Sequence, residues 1–163
     1  PAGADTLTNQ EGVAAVSKLN PANVQAGITA AANYAMGLPS ALHKYGVVGF
    51  CWGGTASFAH AVVSPSLGAS VVYYGTSPSA ADLMSVKAPV LGLYGGSDAR
   101  VVATVAPADS AMKAMHKTYE PHIFEGAGHG FLRAQTGNNG ANMTATQKAW
   151  PATIAWFRKY LGS

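Results

Sequence analysis

The stretch GFCWGG, residues 49–54, lies between two segments of different character. An apolar run at residues 45–48 precedes it, and a helix-compatible run at residues 55–61 follows it. This order predicts a strand, a sharp turn and then a helix. The backbone of a residue held at such a turn is strained. We therefore expect that the residues two positions before and two positions after it, Gly49 and Gly53, must have almost no side chain.

Cys51, the only cysteine of the chain, stands at the centre of this turn. A lone cysteine among apolar residues is more often a small buried hydrophobe than a catalyst. On a turn between a strand and a helix, however, the same residue type can act as a nucleophile that projects from the sheet. The segments further along the chain favour the second interpretation.

Three further apolar runs, residues 70–75, 89–94 and 119–124, end in loops that contain glycine. Asp98 lies in the loop after the second of these runs, and His129 lies in the loop after the third. The candidate groups therefore follow one another as nucleophile, acid and base. This is the chain order of the catalytic triad in the α/β-hydrolase fold, and other hydrolase folds use different orders.

Each candidate has a chemical task in such a triad. Asp98 would accept a hydrogen bond from His129 and fix the tautomer of the imidazole ring. His129 and the N-terminus of the helix that begins near Gly54 would help Cys51 to lose its proton. The backbone N–H of Trp52 would supply one half of an oxyanion hole.

Other residues fit these tasks less well. No serine has glycine at both the second position before it and the second position after it. Four further histidines fall in or beside expected helices and strands, where a structural or solvated role is expected: His43, His60, His116 and His122.

Length and pattern predict one α/β domain over residues 1–163. With 48% hydrophobic residues the chain can bury a core, and alternating strand and helix segments predict three α/β/α layers around a mostly parallel sheet. Asn20 and Pro21 are expected to cap and begin an early helix with one apolar face, formed by Val24, Ile28, Ala31 and Ala35. The last helix is expected to present Trp150, Ile154, Phe157 and Leu161, with Pro151 in its first turns or at a kink.

The charge pattern excludes several classes of function. Ten basic and seven acidic residues give a net charge of +3, and the basic residues are scattered. We therefore expect no nucleic-acid partner.

No apolar run is long enough to cross a membrane, and no metal-ligand cluster or nucleotide loop is visible, so we expect no membrane span, metal or cofactor. The sequence does not indicate the cellular compartment of the protein.

Three stretches of the sequence resemble one known family. GFCWGG, LYGGSDARV at residues 93–101 and EGAGHGFLRAQ at residues 125–135 are similar to dienelactone hydrolases, the carboxymethylenebutenolidase branch of the α/β-hydrolase superfamily. The resemblance implies a cysteine nucleophile at Cys51, an acid at Asp98, a base at His129 and an oxyanion donor at the Trp52 amide. It also implies that Arg133 holds a substrate carboxylate, although this residue could equally be a solvated loop cation.

The sequence also departs from the family pattern. Residues 1–50 do not contain the two or three strands that normally precede the nucleophile, so we expect a partial α/β-hydrolase fold. The groups that the family draws from that half would then be absent: the second oxyanion-hole amide, a glutamate that helps to control the thiol and a further arginine for the substrate carboxylate. The chain could be a fragment, could lack an upstream segment, or could be a small hydrolase that covers its open sheet edge by self-association.

These observations together predict a hydrolase of carboxylic esters or lactones, which would act on small molecules through an acyl-thioester on Cys51. Tyr74 and Tyr94 follow two of the strands and would line the substrate pocket, although apolar packing is the competing interpretation. Two other functions stay open: a catalytically silent binding module and a redox-sensing thiol.

Overall fold

The computed structural model describes residues 8–162, so the ends of the expected domain at residues 1–7 and 163 lie outside the described residues. The strands are β1 (Gly46–Phe50), β2 (Ala69–Tyr73), β3 (Val90–Gly95) and β4 (Tyr119–Phe124). The helices are α1 (Asn9–Ser17), α2 (Pro21–Met36), α3 (Trp52–Val63), α4 (Ala80–Leu83), α5 (Ala99–Val102), α6 (Val105–Ala114) and α7 (Ala141–Leu161). A short 3-10 turn, Asn138–Gly140, comes directly before α7.

The four strands form one parallel sheet in the order β1-β2-β3-β4. Each strand lies beside its successor, and the segments between them carry the crossover helices that parallel pairing requires. The expectation of an α/β fold with a parallel sheet is confirmed. Because all four strands run in the same direction, the loops that follow them meet at one edge of the sheet.

Two hydrophobic cores lie on opposite faces of this sheet. Phe58 of α3 and Met112 of α6 belong to one core, with Val72 and Val90 from the sheet. Trp156 of α7 belongs to the other core, together with inward residues of β2 and β3. The structure therefore has the three expected layers, with α3 and α6 on one face and α7 on the other.

The part before β1 contains helices but, within residues 8–45, no strand. Thr8 and Glu11 form a capping box at the start of α1, and Asn20 caps α2 as its sequence indicates. The strand β1 therefore forms one side of the sheet, and its outer edge has no neighbouring strand among the described residues. Val48 and Phe50 on this strand are 40% and 39% exposed.

The inward face of α2 matches the expected one only in part. Val24 and Ile28 are half-buried as expected, but Ala31 and Ala35 are exposed, and Gln25 and Ala32 face inward as well. The helix is turned because the polar Gln25 packs inward, where its amide donates a hydrogen bond to the Ala56 carbonyl of α3 at 3.2 Å. An apolar pattern alone could not place this glutamine on the buried side.

The inward face of α7 was also predicted incorrectly. Its buried residues include Ala149, Thr153 and Trp156, while Trp150 and Ile154 are 47% and 38% exposed. Pro151 lies well inside the helix, which begins ten residues earlier, and not in its first turns. The remaining expected residues of that face, Phe157 and Leu161, are half-buried and approach the sheet near Gly46, the first residue of β1.

A buried histidine joins α2, α3 and the start of β1. The ring of His60 is fully buried, and its two nitrogens contact the Tyr45 hydroxyl at 3.0 Å and the Gln25 side-chain oxygen at 2.9 Å. The Tyr45 hydroxyl also bonds Ser64 at 2.6 Å. The burial and the two contacts of the ring agree with the structural role expected for His60, and burial lowers its pKa. Within residues 8–162, no helix is both long and apolar enough to cross a lipid bilayer.

We predict that His60 makes the protein less stable as the pH falls from 7 to 5. Its lowered pKa keeps the ring neutral in the folded state, whereas the unfolded chain takes up a proton below about pH 6.5. The loss is about 1.4 kcal/mol for each pH unit between the unfolded and the folded pKa, so at pH 5 it reaches at most about 2 kcal/mol. Urea unfolding of the wild type and His60→Gln at both pH values would measure it. Equal pH dependence in the two proteins would contradict the prediction, and His116→Asn, at an exposed histidine, is the matched control.

Candidate active site

The turn between β1 and α3 holds Cys51 in strained backbone. Its φ and ψ angles are 55° and −120°, a conformation that side-chain-bearing residues rarely adopt. The Cys51 N–H donates a 3.1 Å hydrogen bond to the Tyr73 carbonyl at the end of β2. This bond ties the turn to the neighbouring strand. Strain of this kind persists only where the surrounding structure enforces it, and it is concentrated at functional sites.

Close contact between backbone segments explains two glycines of the turn. A Cβ atom on Gly49 would lie 1.8 Å from the Gly53 carbonyl oxygen, and one on Gly54 would lie 2.4 Å from the Tyr73 carbonyl oxygen. The prediction for Gly49 is therefore confirmed. The prediction for Gly53 was wrong, because a Cβ atom there would meet no atom within 4 Å. The residue that must be glycine on the helix side is Gly54, since α3 packs against β2 at this position.

Asp98 and His129 form a direct pair at the same edge of the sheet. Asp98 follows β3 and His129 follows β4, and the His129 Nδ1 atom lies 2.5 Å from the Asp98 Oδ2 atom. The Asp98 side chain is only 9% exposed, whereas the His129 side chain is 40% exposed. The second carboxylate oxygen accepts a hydrogen bond from the Val101 N–H at 3.4 Å, at the start of α5. The carboxylate is thus held on both sides, and it engages one of the two ring nitrogens of His129.

The Cys51 thiol makes no hydrogen bond to any residue in the part of the chain that the structure describes. The direct contact between sulfur and imidazole is therefore absent from this state of the protein. The charge of Asp98 nevertheless acts on the thiol and raises its pKa. Catalytic hydrogen bonds in ligand-free enzymes are often long and shorten when a substrate binds.

The local environment raises the pKa of the Cys51 thiol. Partial burial by the surrounding loops is the main cause, although the residue is exposed at the rim of the sheet. Arg133 and Arg100 act in the opposite direction and lower this pKa, while the Asp98 charge raises it further. The thiol is therefore mostly protonated at neutral pH and requires a base to become a nucleophile.

Tyr74 lies beside both the thiol and the imidazole. Its φ angle is 39°, which is strained for an aromatic residue, and its ring centre lies 5.2 Å from that of His129. The residue is buried, and burial followed by the proximity of Cys51 raises the pKa of its hydroxyl. The structure thus places Tyr74 at the candidate site, where it packs against Phe50 and Phe131.

The expected pocket role of Tyr94 was wrong. This residue is fully buried in the core that α3 and α6 cover, and its hydroxyl is hydrogen-bonded to that of Tyr119 at 2.8 Å. Side chains alternate between the faces of a strand, and residue 94 points to the face opposite that of Leu93, away from α7. The competing interpretation, apolar packing, is the correct one.

The remaining candidates lie around the thiol. Trp52 is the first residue of α3 and is 43% exposed, so its N–H belongs to the first helical turn, where backbone donors lack partners within the helix. Arg133 is exposed in the turn that follows His129. Arg100 was missed in the sequence, although it lies only two residues after Asp98. Its position on α5 brings its charge into range of the thiol.

Comparisons with known proteins show which family the chain resembles. A family model described as the dienelactone hydrolase family matches residues 3–161. A proposed carboxymethylenebutenolidase of Methylorubrum extorquens is 35% identical over 95% of this chain, and a carboxymethylenebutenolidase homolog of Mus musculus is 29% identical over 72% of it. The crystal structure of a proposed dienelactone hydrolase from Klebsiella pneumoniae is 31% identical, covers 89% of this chain and gives a TM-score of 0.79.

The chain spans only part of each of these relatives. It covers 57% of the Methylorubrum protein, 49% of the mouse protein and 64% of the Klebsiella chain. Its parallel sheet and flanking helices are a part of the α/β fold that those proteins share.

We predict opposite effects on stability for two alanine substitutions in the turn. Gly49→Ala should lower the free energy of unfolding by about 3 kcal/mol, because its Cβ atom would collide with rigid backbone. Gly53→Ala should be neutral or should raise it by about 0.5–1 kcal/mol, since alanine favours a helix and finds free space. Denaturant unfolding of both variants tests this, and a severe loss in Gly53→Ala would refute the assignment of the close contact.

We also predict that the thiol reacts only at alkaline pH when no substrate is bound. Thiolate is the reactive form, so a raised pKa moves the midpoint of alkylation by iodoacetamide above the value of about 8.5 for free cysteine. Arg133→Gln removes a positive charge and should move the midpoint further upward. A midpoint below that of free cysteine, or a downward shift in this variant, would show that the electrostatic description is incorrect.

Proposed function

This chain belongs to the dienelactone hydrolase family, and we propose that it hydrolyses carboxylic ester or lactone bonds of small molecules with Cys51 as its nucleophile. The observation that carries the proposal is the Asp98–His129 hydrogen bond at the sheet edge where strained backbone presents the thiol. Nucleophile, base and acid come from the ends of three different strands. Packing of the hydrophobic core alone does not explain why these three side chains lie at the same edge of the sheet.

The Asp98–His129 bond prepares the imidazole to act as a base. A carboxylate bound at Nδ1 favours the tautomer in which Nδ1 carries the proton, so Nε2 is free to accept one. In the proposed first step, Nε2 takes the proton of the Cys51 thiol as the sulfur attacks the substrate carbonyl. Asp98 then stabilises the imidazolium that forms.

The Trp52 amide is the proposed donor to the tetrahedral oxyanion. The carbonyl carbon bonded to sulfur would place its oxygen near the first turn of α3, where unpaired N–H groups and the helix dipole favour negative charge. The intermediate collapses to an acyl-thioester as the alkoxide leaves with the proton held by His129. Water activated by the same ring then hydrolyses the thioester and restores the thiol. A thiolate is a good leaving group, so esters and lactones are more suitable substrates than amides.

Substrate contacts are proposed for Arg133 and Tyr74. Arg133 would bind a substrate carboxylate through its guanidinium group, and the Tyr74 ring would form an apolar wall beside His129. Both residues lie close enough to Cys51 to influence its charge state or to be influenced by it.

The open edge of β1 is the part of the site that needs a neighbour. Backbone groups on its outer side have no strand beside them among residues 8–162, and Phe50, next to the nucleophile, is 39% exposed. We propose that further polypeptide, either an upstream segment or a second copy of the chain, covers this edge in the active protein. Such a neighbour would also be positioned to supply the second oxyanion donor.

A catalytically silent binding module is the second candidate function. The absence of a hydrogen bond between the thiol and any described residue favours this alternative, as does the open edge. The two functions differ in whether turnover depends on Cys51.

We predict that the chain hydrolyses p-nitrophenyl acetate and that Cys51→Ala abolishes this activity. His129→Gln should reduce kcat by about 10²–10⁴-fold, since it removes the general base. Mass spectrometry of the mixed protein and substrate should show one acetyl group, on Cys51. His122→Gln, at an exposed histidine on β4, is the control and should retain full activity. Equal rates for the wild type and Cys51→Ala would refute the proposed hydrolase activity of Cys51.

A further inference from the structure

The loop that carries His129 is held at both ends by the side chain of one residue of α7. Asn142 lies in the first turn of that helix and is buried, with only 2% of its surface exposed. Its Oδ1 atom accepts a hydrogen bond from the Gly128 N–H at 2.8 Å, and its Nδ2 atom donates one to the Ala134 carbonyl at 2.7 Å. Gly128 comes directly before the base, and Ala134 comes after it. One amide group therefore joins the two ends of the segment that contains His129.

The segment between these two contacts has no strand or helix to hold it. Residues 125–137 follow β4 as turns and irregular backbone. The Gly130 carbonyl accepts hydrogen bonds from the N–H groups of Arg133 and Ala134, at 2.9 and 3.0 Å, so the chain turns back directly after the base. The backbone N–H and carbonyl of His129 itself make no hydrogen bond to any described residue. The position of its ring therefore depends on the contacts that fix the two ends of this turn.

The structure leaves room for the Asn142 amide at Gly137. A Cβ atom on Gly137 would lie 3.0 Å from the Asn142 Nδ2 atom and 3.2 Å from the Ala134 carbonyl oxygen, closer than most side chains approach. The Gly137 φ angle of −80° is one that any residue adopts, so backbone conformation gives no reason for a glycine here. The absence of a side chain at this position keeps the bond between Asn142 and Ala134 free of crowding.

A buried asparagine is unfavourable for packing alone. Its amide group loses contact with water on folding, and this cost is offset only where both ends of the side chain find partners, as they do here. The next buried residues of α7 are the apolar Ala145 and Ala149, which belong to the core on that face of the sheet. The polar side chain at the start of the helix therefore serves the loop and not the core.

A second anchor holds the same loop to the loop of the acid. The N–H of Ser97, the residue before the acid, donates a hydrogen bond to the Ala127 carbonyl at 2.9 Å. Ala127 and Phe131 are fully buried. These contacts keep the loop folded when the bonds of Asn142 are lost. Loss of those bonds would therefore displace the imidazole ring without releasing the whole loop.

We propose that Asn142 is a positioning residue, which acts with Asp98 to orient the His129 ring for proton transfer from Cys51. The inference rests on the hydrolase function proposed above and extends the site to α7, a helix that carries no member of the triad. Asn142 takes no proton itself, because both of its hydrogen bonds go to the backbone of the loop. Its effect reaches the substrate through the imidazole, whose placement determines the geometry of proton transfer.

Kinetics of Asn142→Ala distinguish a positioning role from a purely structural one. For hydrolysis of p-nitrophenyl acetate we expect kcat to fall about 10-fold to 100-fold, the effect of a displaced catalytic group, while KM stays within about twofold. Ser70→Ala is the matched control, since it also removes a buried hydrogen-bonding side chain, but at the start of β2, away from the edge where the strands end. This variant should lose stability and retain kcat.

The ring of His129 provides a readout that does not depend on turnover. In NMR spectra of the protein with ¹⁵N-labelled histidine, we expect Asn142→Ala to weaken or broaden the Nδ1–H signal of His129, because the ring then leaves the Asp98 carboxylate for part of the time. Ser70→Ala should leave this signal as it is in the wild type. An asparagine that only stabilised the fold would leave it unchanged as well.

Gly137→Ala disturbs the same amide without removing it, and it decides the question if Asn142→Ala does not fold. The added methyl group would press on the Asn142 Nδ2 atom, so we expect the same change of the His129 signal and a kcat lower by about threefold to tenfold. An unchanged His129 signal in every folded variant of this pair would overturn the role of Asn142.

The two readouts separate this role from the hydrolase function. Turnover that depends on Cys51, with kcat and the His129 signal unchanged in the variants, would refute the role of Asn142 and leave the hydrolase function intact. A weakened His129 signal in Asn142→Ala, in a protein whose wild type shows no turnover that depends on Cys51, would refute the hydrolase function and retain the control of the ring by Asn142.

Discussion

Close approach of backbone to backbone at the end of β1 is the constraint on which the candidate site depends. The turn that follows β1 brings the Gly49 Cα within contact of the Gly53 carbonyl, and α3 then lies against β2 at Gly54. Side chains at these two contacts would force the strand and helix apart. The positive φ angle of Cys51 lies in this same turn, and strain of this kind persists only where the surrounding packing enforces it. The packing of β1, β2 and α3 thus holds the Cys51 thiol at the edge of the sheet.

The parallel sheet then determines which groups can reach that thiol. Loops after β3 and β4 leave the sheet at the same edge as the Cys51 turn, so an acid and a base placed there need only short loops to meet. The Asp98 carboxylate fixes His129 on one side and the start of α5 on the other.

The sequence was sufficient to predict the features that depend on local pattern and chain order. Apolar runs that end in glycine-bearing loops predicted the strands, and their order predicted a parallel sheet with Asp98 and His129 at one edge. Features that depend on packing between distant segments were not predictable. Gly53 and Gly54 are neighbouring glycines in the sequence. Only the position of β2 shows that Gly54 is the one whose backbone contacts that strand. The inward face of α7, with Thr153 and Trp156 buried, and the contact of the Tyr94 hydroxyl with that of Tyr119 both depend on segments that are distant in the sequence.

NMR spectra of the protein with ¹⁵N-labelled histidine would show whether the Cys51 sulfur, the His129 imidazole and the Asp98 carboxylate act as one group. We expect the Nδ1–H proton of His129 to be protected and shifted downfield by Asp98, and we expect Asp98→Asn to remove this signal. Alkylation of Cys51 should change the resonances of the His129 ring. If neither Asp98→Asn nor alkylation of Cys51 affects these ring resonances, the three residues do not form a common site.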